Sequence, residues 1–250
     1  MASISTEQIS FEQALANLLA AYEAGTGSGT IIATRLTLIN LVKAKLDEII
    51  PEGEGVQFSV EGDINISDPL NLLINAILDE AANKTLLDAP LHILDPVNSD
   101  VTAGTAEGDE SDNHTGYIPL ADNFLRFVSL KMADWKREVT EPITTRDKRY
   151  RVQRNKYTRG GVAKPVAVFS YRTIGDETPE QKRVIEYYSI DSSHNIDWFY
   201  YIQETAAEDV QSNLVPSLSW TAAGIILQIT ERPELAKVAF EQEILNFPNI

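Results

Sequence analysis

The sequence predicts an α+β fold with a mainly helical body, a small antiparallel three-stranded meander and a long extended arm. Runs with apolar residues at helical spacing fill much of residues 11–94 and return at the C-terminal end. Three runs rich in Val, Ile, Tyr, Phe and Trp, at 165–172, 183–190 and 196–203, are separated by turn residues. Between the helical and strand-like regions, residues 139–162 hold many cations and almost no apolar period.

Each element has a local reason. Ser10-Phe11-Glu12-Gln13 is a capping box, and Phe11, Leu15, Leu18, Leu19 and Tyr22 then predict a helix over about 11–24, ended by the glycines at 25, 27 and 29. Ile32, Leu36, Ile39, Val42, Leu46 and Ile49 predict a second helix over 31–49, stopped by Pro51. Asp68-Pro69 caps a third, which carries Leu70, Leu73, Ile77 and Ala81 and stops near Pro90. Residues 95–115 lose all periodicity and gain acids among Gly, Ser, Thr and Asn, as an exposed acidic loop does. Phe124, Leu125, Val128, Met132 and Trp135 predict a fourth helix over 120–134.

The arm follows, then the meander, where Ile196, Trp198, Tyr200 and Ile202 share a face of the last strand. Eight of the 20 aromatics fall within 165–203, enough to cement a small sheet against helices. Two helices close the chain, about 217–230 (Leu218, Ala222, Ile225, Ile226, Ile229) and 234–246 (Leu235, Val238, Ala239, Leu245). The expected organisation is an N-terminal helical region 1–94, an acidic flexible loop 95–118, and 119–250 as helix, arm, meander and helix pair packed with the N-terminal helices.

A chain of 250 residues, 43% hydrophobic, can bury a substantial core, while a net charge of −16 argues against general affinity for nucleic acid. No apolar run reaches the roughly 18 residues of a membrane span, and Met1-Ala2-Ser3-Ile4-Ser5 lacks the parts of a secretory signal, so the expectation is a soluble protein folded in a cytosol. With no cysteine there are no disulfides, thiolate catalysis or thiolate metal sites.

Candidate chemistry is sparse. Gly25-Thr26-Gly27-Ser28-Gly29-Thr30 has the glycines of a phosphate loop, but it follows a helix and no Gly-Lys-Ser/Thr closes it; it reads as an interhelical joint. His92, His114 and His194 lie in separate segments without metal-ligand spacing, His92 near the core, His114 in the acidic loop and His194 in a turn. Paired carboxylates such as Asp79-Glu80 and Asp109-Glu110 read as solvated faces, and no Gly-x-Ser-x-Gly elbow is present. No catalytic, cofactor-binding or metal-binding residue is assigned, and the chain is not read as an enzyme.

The informative feature is charge. Residues 131–164 hold 11 of the 21 Lys and Arg against four acids, a balance of +7 that leaves −23 for the rest. Within them Arg146, Lys148, Arg149, Arg151, Arg154, Lys156 and Arg159 interleave with Tyr150 and Tyr157. Three readings stand: contact with the acidic surface of another protein, single-stranded nucleic-acid binding, or a solvated loop. An arm that orders only on assembly would be protease-sensitive in the free subunit.

Several runs resemble a known family. Leu78-Asp79-Glu80-Ala81-Ala82 through Leu86-Leu87-Asp88-Ala89-Pro90-Leu91-His92, then Leu120-Ala121-Asp122-Asn123-Phe124-Leu125-Arg126-Phe127-Val128-Ser129-Leu130-Lys131-Met132 with Trp135, are similar to a virion protein family of crAss-like bacteriophages. Asn155-Lys156-Tyr157-Thr158-Arg159-Gly160-Gly161 before Lys164-Pro165-Val166 is the most distinctive stretch, and the closing pair Thr221-Ala222-Ala223-Gly224-Ile225-Ile226-Leu227 and Arg232-Pro233-Glu234-Leu235-Ala236 is also similar. The resemblance covers about residues 68–245. It implies a ring or neck component of the head-to-tail connector, a homo-oligomer of roughly 12 copies as closed cyclic symmetry allows. Its implied partners are the portal and other neck or tail rings, with DNA passing through without specific binding and no membrane. The implied location is the virion, assembled in the host bacterial cytoplasm. In that setting the seven cations named above are subunit-interface residues, and the alternative is a nucleic-acid-binding accessory protein using the arm 139–162. A strongly acidic ring also keeps packaged DNA from adhering to the conduit wall.

Overall fold

The computed structural model describes residues 35–50, 69–99, 104–105, 115–153, 155, 157–174, 180–189 and 194–248. The expected helix over 11–24 and His114 lie outside them, as does most of the expected acidic loop. Five α-helices are described: α1 Arg35–Ile49, α2 Pro69–Asp88, α3 Lys148–Gln153, α4 Val215–Ile229 and α5 Pro233–Leu245. The strands are β1 Val97–Asn98, β2 Gly104–Thr105, β3 Thr115–Pro119, β4 Phe124–Met132, β5 Ile143–Thr144, β6 Ala167–Ile174, β7 Glu180–Tyr188 and β8 Ile196–Gln203.

The chain divides into two units, Met1–Ile93 with Thr205–Ile250, and Leu94–Glu204. β1, β2 and the start of β3 fall inside the segment expected to be a loop, and the C-terminal helix pair lies in the same unit as the N-terminal helices.

The first unit is helical and built around α4. From Val215 to Ile229 that helix has no charged residue, and from Ser217 to Leu227 every side chain is buried. A helix apolar on all sides needs neighbours on all sides, and α1, α2 and α5 pack against it. Proline stands in the first turn of both α4 and α5, where its missing N–H leaves no bond unmade. At Gly224 an added Cβ would lie 2.6 Å from the Phe240 ring, so the bare backbone is what lets α5 approach. The hydroxyls of Thr85 on α2 and Thr221 on α4 meet at 2.8 Å, which satisfies two polar groups inside the apolar packing.

Arg35 ties the separated parts of this unit together. Its Nε donates to Asn75 Oδ1 at 2.6 Å, while its terminal nitrogens donate to Asp79 at 3.0 Å and to Glu208 at 2.9 Å. Asp79 also accepts the Ala207 N–H at 3.0 Å, and the guanidinium holds this carboxyl below its ordinary range.

The second unit corrects the expected fold class. It is not a single three-stranded meander on a helical body: two sheets are present, ordered β1-β8-β4 and β2-β3-β7-β6-β5. The runs expected as strands do form β6, β7 and β8, and β6 pairs with β7 along its whole length. β8 instead leaves for the other sheet, where it pairs with β4 and β1. The second sheet is mixed, because β5 lies parallel to β6 with Ile143 beside Val168.

The partner of β8 is the segment expected to be a fourth helix. In β4 the register against β8 shifts between Phe124 and Arg126, between Phe127 and Ser129, and between Lys131 and Met132. Bulges of this kind reset the alternation of a strand, so the buried apolar residues are Phe124, Phe127, Leu130 and Met132, with Ser129 buried as well. The helix was expected on Phe124, Leu125, Val128, Met132 and Trp135; Leu125 and Val128 are only half-buried in β4, and a bulged strand can carry apolar residues at such irregular intervals.

The sheets pack face to face through aromatics. Phe169 of β6 meets Phe124 and Phe127 of β4 edge-on at 6.0 and 6.1 Å, within a core that also holds Leu130, Ile185, Tyr187, Phe199 and Tyr201. On β8 the core face carries Phe199 and Tyr201. Trp198, expected to share a face with Ile196, Tyr200 and Ile202, is half-buried and lies under the Lys131 ammonium at 4.4 Å. Trp135, expected on a helix, is buried beyond the end of β4 and donates its indole N–H to the Tyr188 carbonyl at 2.9 Å.

Gly116 sits opposite Tyr187 in the β3–β7 register, and the Tyr187 ring lies over it. A Cβ at Gly116 would stand 2.3 Å from that ring. Gly116→Ala is expected to destabilise the protein by about 1–3 kcal/mol by overpacking, read as a lower urea midpoint. In a Tyr187→Leu background the same substitution should have a smaller effect; equal effects would show that the ring is not the obstacle.

Candidate functional site

The basic segment is fastened to the second unit by its backbone. Val139 exchanges both hydrogen bonds with Leu130, at 2.8 and 3.0 Å, Ile143 is buried, and the Lys136 N–H donates to the Val162 carbonyl at 2.9 Å. The extended arm expected over 139–162 is therefore a correction too. Its middle is α3, whose first turn is capped by Asp147: the Arg149 N–H donates to Asp147 Oδ1 at 2.8 Å, as at helix starts generally.

Beyond α3 the chain makes a pinned turn. Gln153 is buried and its side-chain oxygen accepts the Gly160 N–H at 2.6 Å. Asn155 accepts the Tyr157 N–H on its side chain at 3.0 Å, and its carbonyl accepts from Thr158 and Arg159. A Cβ at Gly160 would come within 2.7 Å of Val166 Cγ2 and 2.9 Å of the Lys164 carbonyl oxygen, so glycine is required there for close approach. The described residues of the most distinctive sequence run thus form a compact turn held by the side chains of Gln153 and Asn155.

The seven named cations are placed unevenly. Arg146, Lys148 and Arg151 are exposed on and beside α3. Arg149 is exposed as well but forks onto Asp147 at 2.8 Å, which lowers the carboxyl and raises the guanidinium from their ordinary values. Arg159 folds back with its guanidinium 4.9 Å from the Tyr188 ring centre. Arg154 and Lys156 lie outside the described residues. Tyr157, at the tip of the turn, is 85% exposed.

A second feature, in the helical unit, escaped the sequence reading. A pocket of about 640 Å³ is lined by Lys84, Asp88, Pro90 and His92 at the end of α2, and by Phe240, Glu243, Ile244, Phe247 and Pro248 at the end of α5. Lys84 bonds to Asp88 and lies 5.0 Å above the Phe240 ring. Glu243 is only 1% exposed, and its Oε1 finds no hydrogen-bond partner among the described residues. Burial pushes this carboxyl up from its ordinary value; Thr221 and the Lys84 charge oppose the shift and Asp88 adds to it.

The sequence placed the apolar face of α5 at Leu235, Val238, Ala239 and Leu245. The buried residues are Ala236, Ala239 and Glu243, while Val238, Ile244 and Leu245 are exposed. A glutamate in an acidic helix carries no signal of burial, so only the packing could reveal it. His92 is exposed at this pocket instead of near the core, and His194 is buried against the Tyr187 ring with φ 51°.

Among the described residues no three His, Asp or Glu gather as a metal-binding group, and no helix is long and apolar enough to cross a membrane. No protein-family model matches the chain, and no curated protein matches it.

Gln153→Ala removes the acceptor of the Gly160 N–H. Tryptic cleavage after Arg151 and Arg159 should become severalfold faster, with a global stability change of about 1 kcal/mol; an unchanged cleavage pattern would show that the turn is held by other contacts.

A raised carboxyl binds its proton more readily in the folded chain than in the unfolded one, so Glu243 lowers stability as pH climbs from the ordinary carboxylate value through its own folded value. Glu243→Gln is expected to stabilise the protein at neutral pH, on the order of 1 kcal/mol, and to leave it unchanged at pH 4. Chemical denaturation at both pH values reads this, and loss of stability at neutral pH would contradict it.

Proposed function

We propose that the chain is a structural protein of a bacteriophage virion, one subunit of a ring in the head-to-tail connector or neck. The observation that carries the reading is the separation of charge within one chain. Residues 1–93 and 205–250 hold 19 acidic against 6 basic side chains, −13, whereas residues 94–204 hold 18 against 15, −3, and include the +7 segment. A closed ring is built from heterologous contacts in which one patch of each subunit meets a different patch of the next. Opposite charge on two parts of the same chain steers and registers such contacts.

The anchoring of the basic segment supports this role. Its backbone is bonded to the sheet while Arg146, Lys148 and Arg151 face outward, so little ordering entropy remains to be lost on docking. The resemblance of residues 68–245 to connector proteins of crAss-like phages points the same way. Copies arranged in a ring, with portal and tail rings as neighbours, would seal and guide the DNA while an acidic wall offers it no counterion release.

A nucleic-acid role for the same segment draws on the exposed Tyr157, since aromatics among cations are stacking platforms for single strands. Sedimentation at falling ionic strength separates the two. The ring reading predicts association that grows as salt is lowered, disappears in the triple variant Arg146→Glu, Lys148→Glu, Arg151→Glu, and is accompanied by no retention of short DNA at moderate salt. DNA retention lost with Arg146, Lys148 and Arg151 changed to Ala would instead establish the nucleic-acid role.

A further inference from the structure

We infer that the pocket between the ends of α2 and α5 is the receptor for a second copy of this chain, and that the Tyr157 turn is what enters it. The inference rests on the ring reading and names the contact through which one subunit would hold the next.

The pocket presents the two halves of a binding site. Phe240 and Phe247 make an apolar wall, and beside it Glu243 keeps a carboxylate oxygen without a donor among the described residues. A buried acceptor in that state is stabilised by any group that brings it a hydrogen bond. Ile244 lines the pocket and is 64% exposed, and its chain neighbour Leu245 is 71% exposed, so α5 ends in apolar surface open to solvent. The matching ligand is a flat apolar body with a donor at its tip, escorted by positive charge toward a unit that carries −13.

Tyr157 answers that description. Its ring is large and apolar, its hydroxyl can donate, and only two side-chain torsions must be fixed when it docks. It stands on a turn already pinned by Gln153 and Asn155, close in sequence to the exposed Arg151 and Lys148. The receptor unit carries −13 and the donor segment +7, so the approach is attractive before any contact forms. Tyr171 is the comparison: it is exposed as well, but on β6, away from the basic segment in sequence.

The chain has no cysteine, which makes placed thiols unambiguous reporters. A variant carrying both Tyr157→Cys and Ile244→Cys, treated at low salt with a short bismaleimide, should give a ladder of linked subunits on a denaturing gel. A variant with Tyr171→Cys and Ile244→Cys should not. Tyr157→Ser, at a position 85% exposed, should weaken self-association by roughly tenfold or more, as loss of an aromatic anchor does. Oligomers that form without the 157–244 link, or with unchanged affinity in Tyr157→Ser, overturn the inference and leave the ring reading standing. A link formed only within single chains, or a chain that stays monomeric at low salt, overturns it as well. The ring reading is then judged separately, by whether the chain joins a connector when produced with its portal.

Discussion

The burial of α4 is the constraint on which the helical unit depends. From Ser217 to Leu227 no side chain reaches solvent, so the helix cannot exist in water as an isolated element and must be enclosed before it is stable. Its enclosure comes from both sides of the sequence: α1 and α2 precede it by more than a hundred residues, and α5 follows directly. Gly224 sets how near α5 can come, and Arg35 fixes α1 against α2 and the Ala207–Asp209 turn. That tight approach brings the end of α5 beside the end of α2, and the Glu243 pocket is the space left where they diverge.

Much of this was legible in the sequence wherever one local rule acted alone. Asp68-Pro69 marked the start of α2, apolar residues at helical spacing marked α4 and α5, and the β-branched and aromatic runs marked β6, β7 and β8. The failures came where a long-range partner rewrote the local pattern. Phe124, Leu125, Val128 and Met132 fit a helical interval, but bulges in β4 adjust the strand to β8, and nothing within β4 announces that neighbour. The destination of β8 was hidden for the same reason, since sheet membership is decided between strands far apart in sequence.

The candidate sites divide along the same line. The concentration of Lys and Arg over 131–164 is a property of composition and needed no structure to be seen. What composition could not give is the fastening: Val139 on Leu130, Ile143 beside Val168, and Gln153 reaching Gly160 convert an expected arm into a surface with a defined shape. It also could not distinguish Arg159, which folds onto Tyr188, from Arg151, which faces outward. Glu243 was invisible for the opposite reason, because in a chain with 37 acids one more glutamate is unremarked until its surroundings are known.

The helical unit is interrupted by the whole of the other unit, residues 94–204. On the ribosome, where synthesis proceeds at about 5–20 residues per second, the inserted sheets are complete in the nascent chain while α1 and α2 still lack α4. The cleft between α2 and α5 comes into being only once α5 has been made. On the contact proposed above, the turn that inserts is therefore made before the receptor that takes it exists in the same chain.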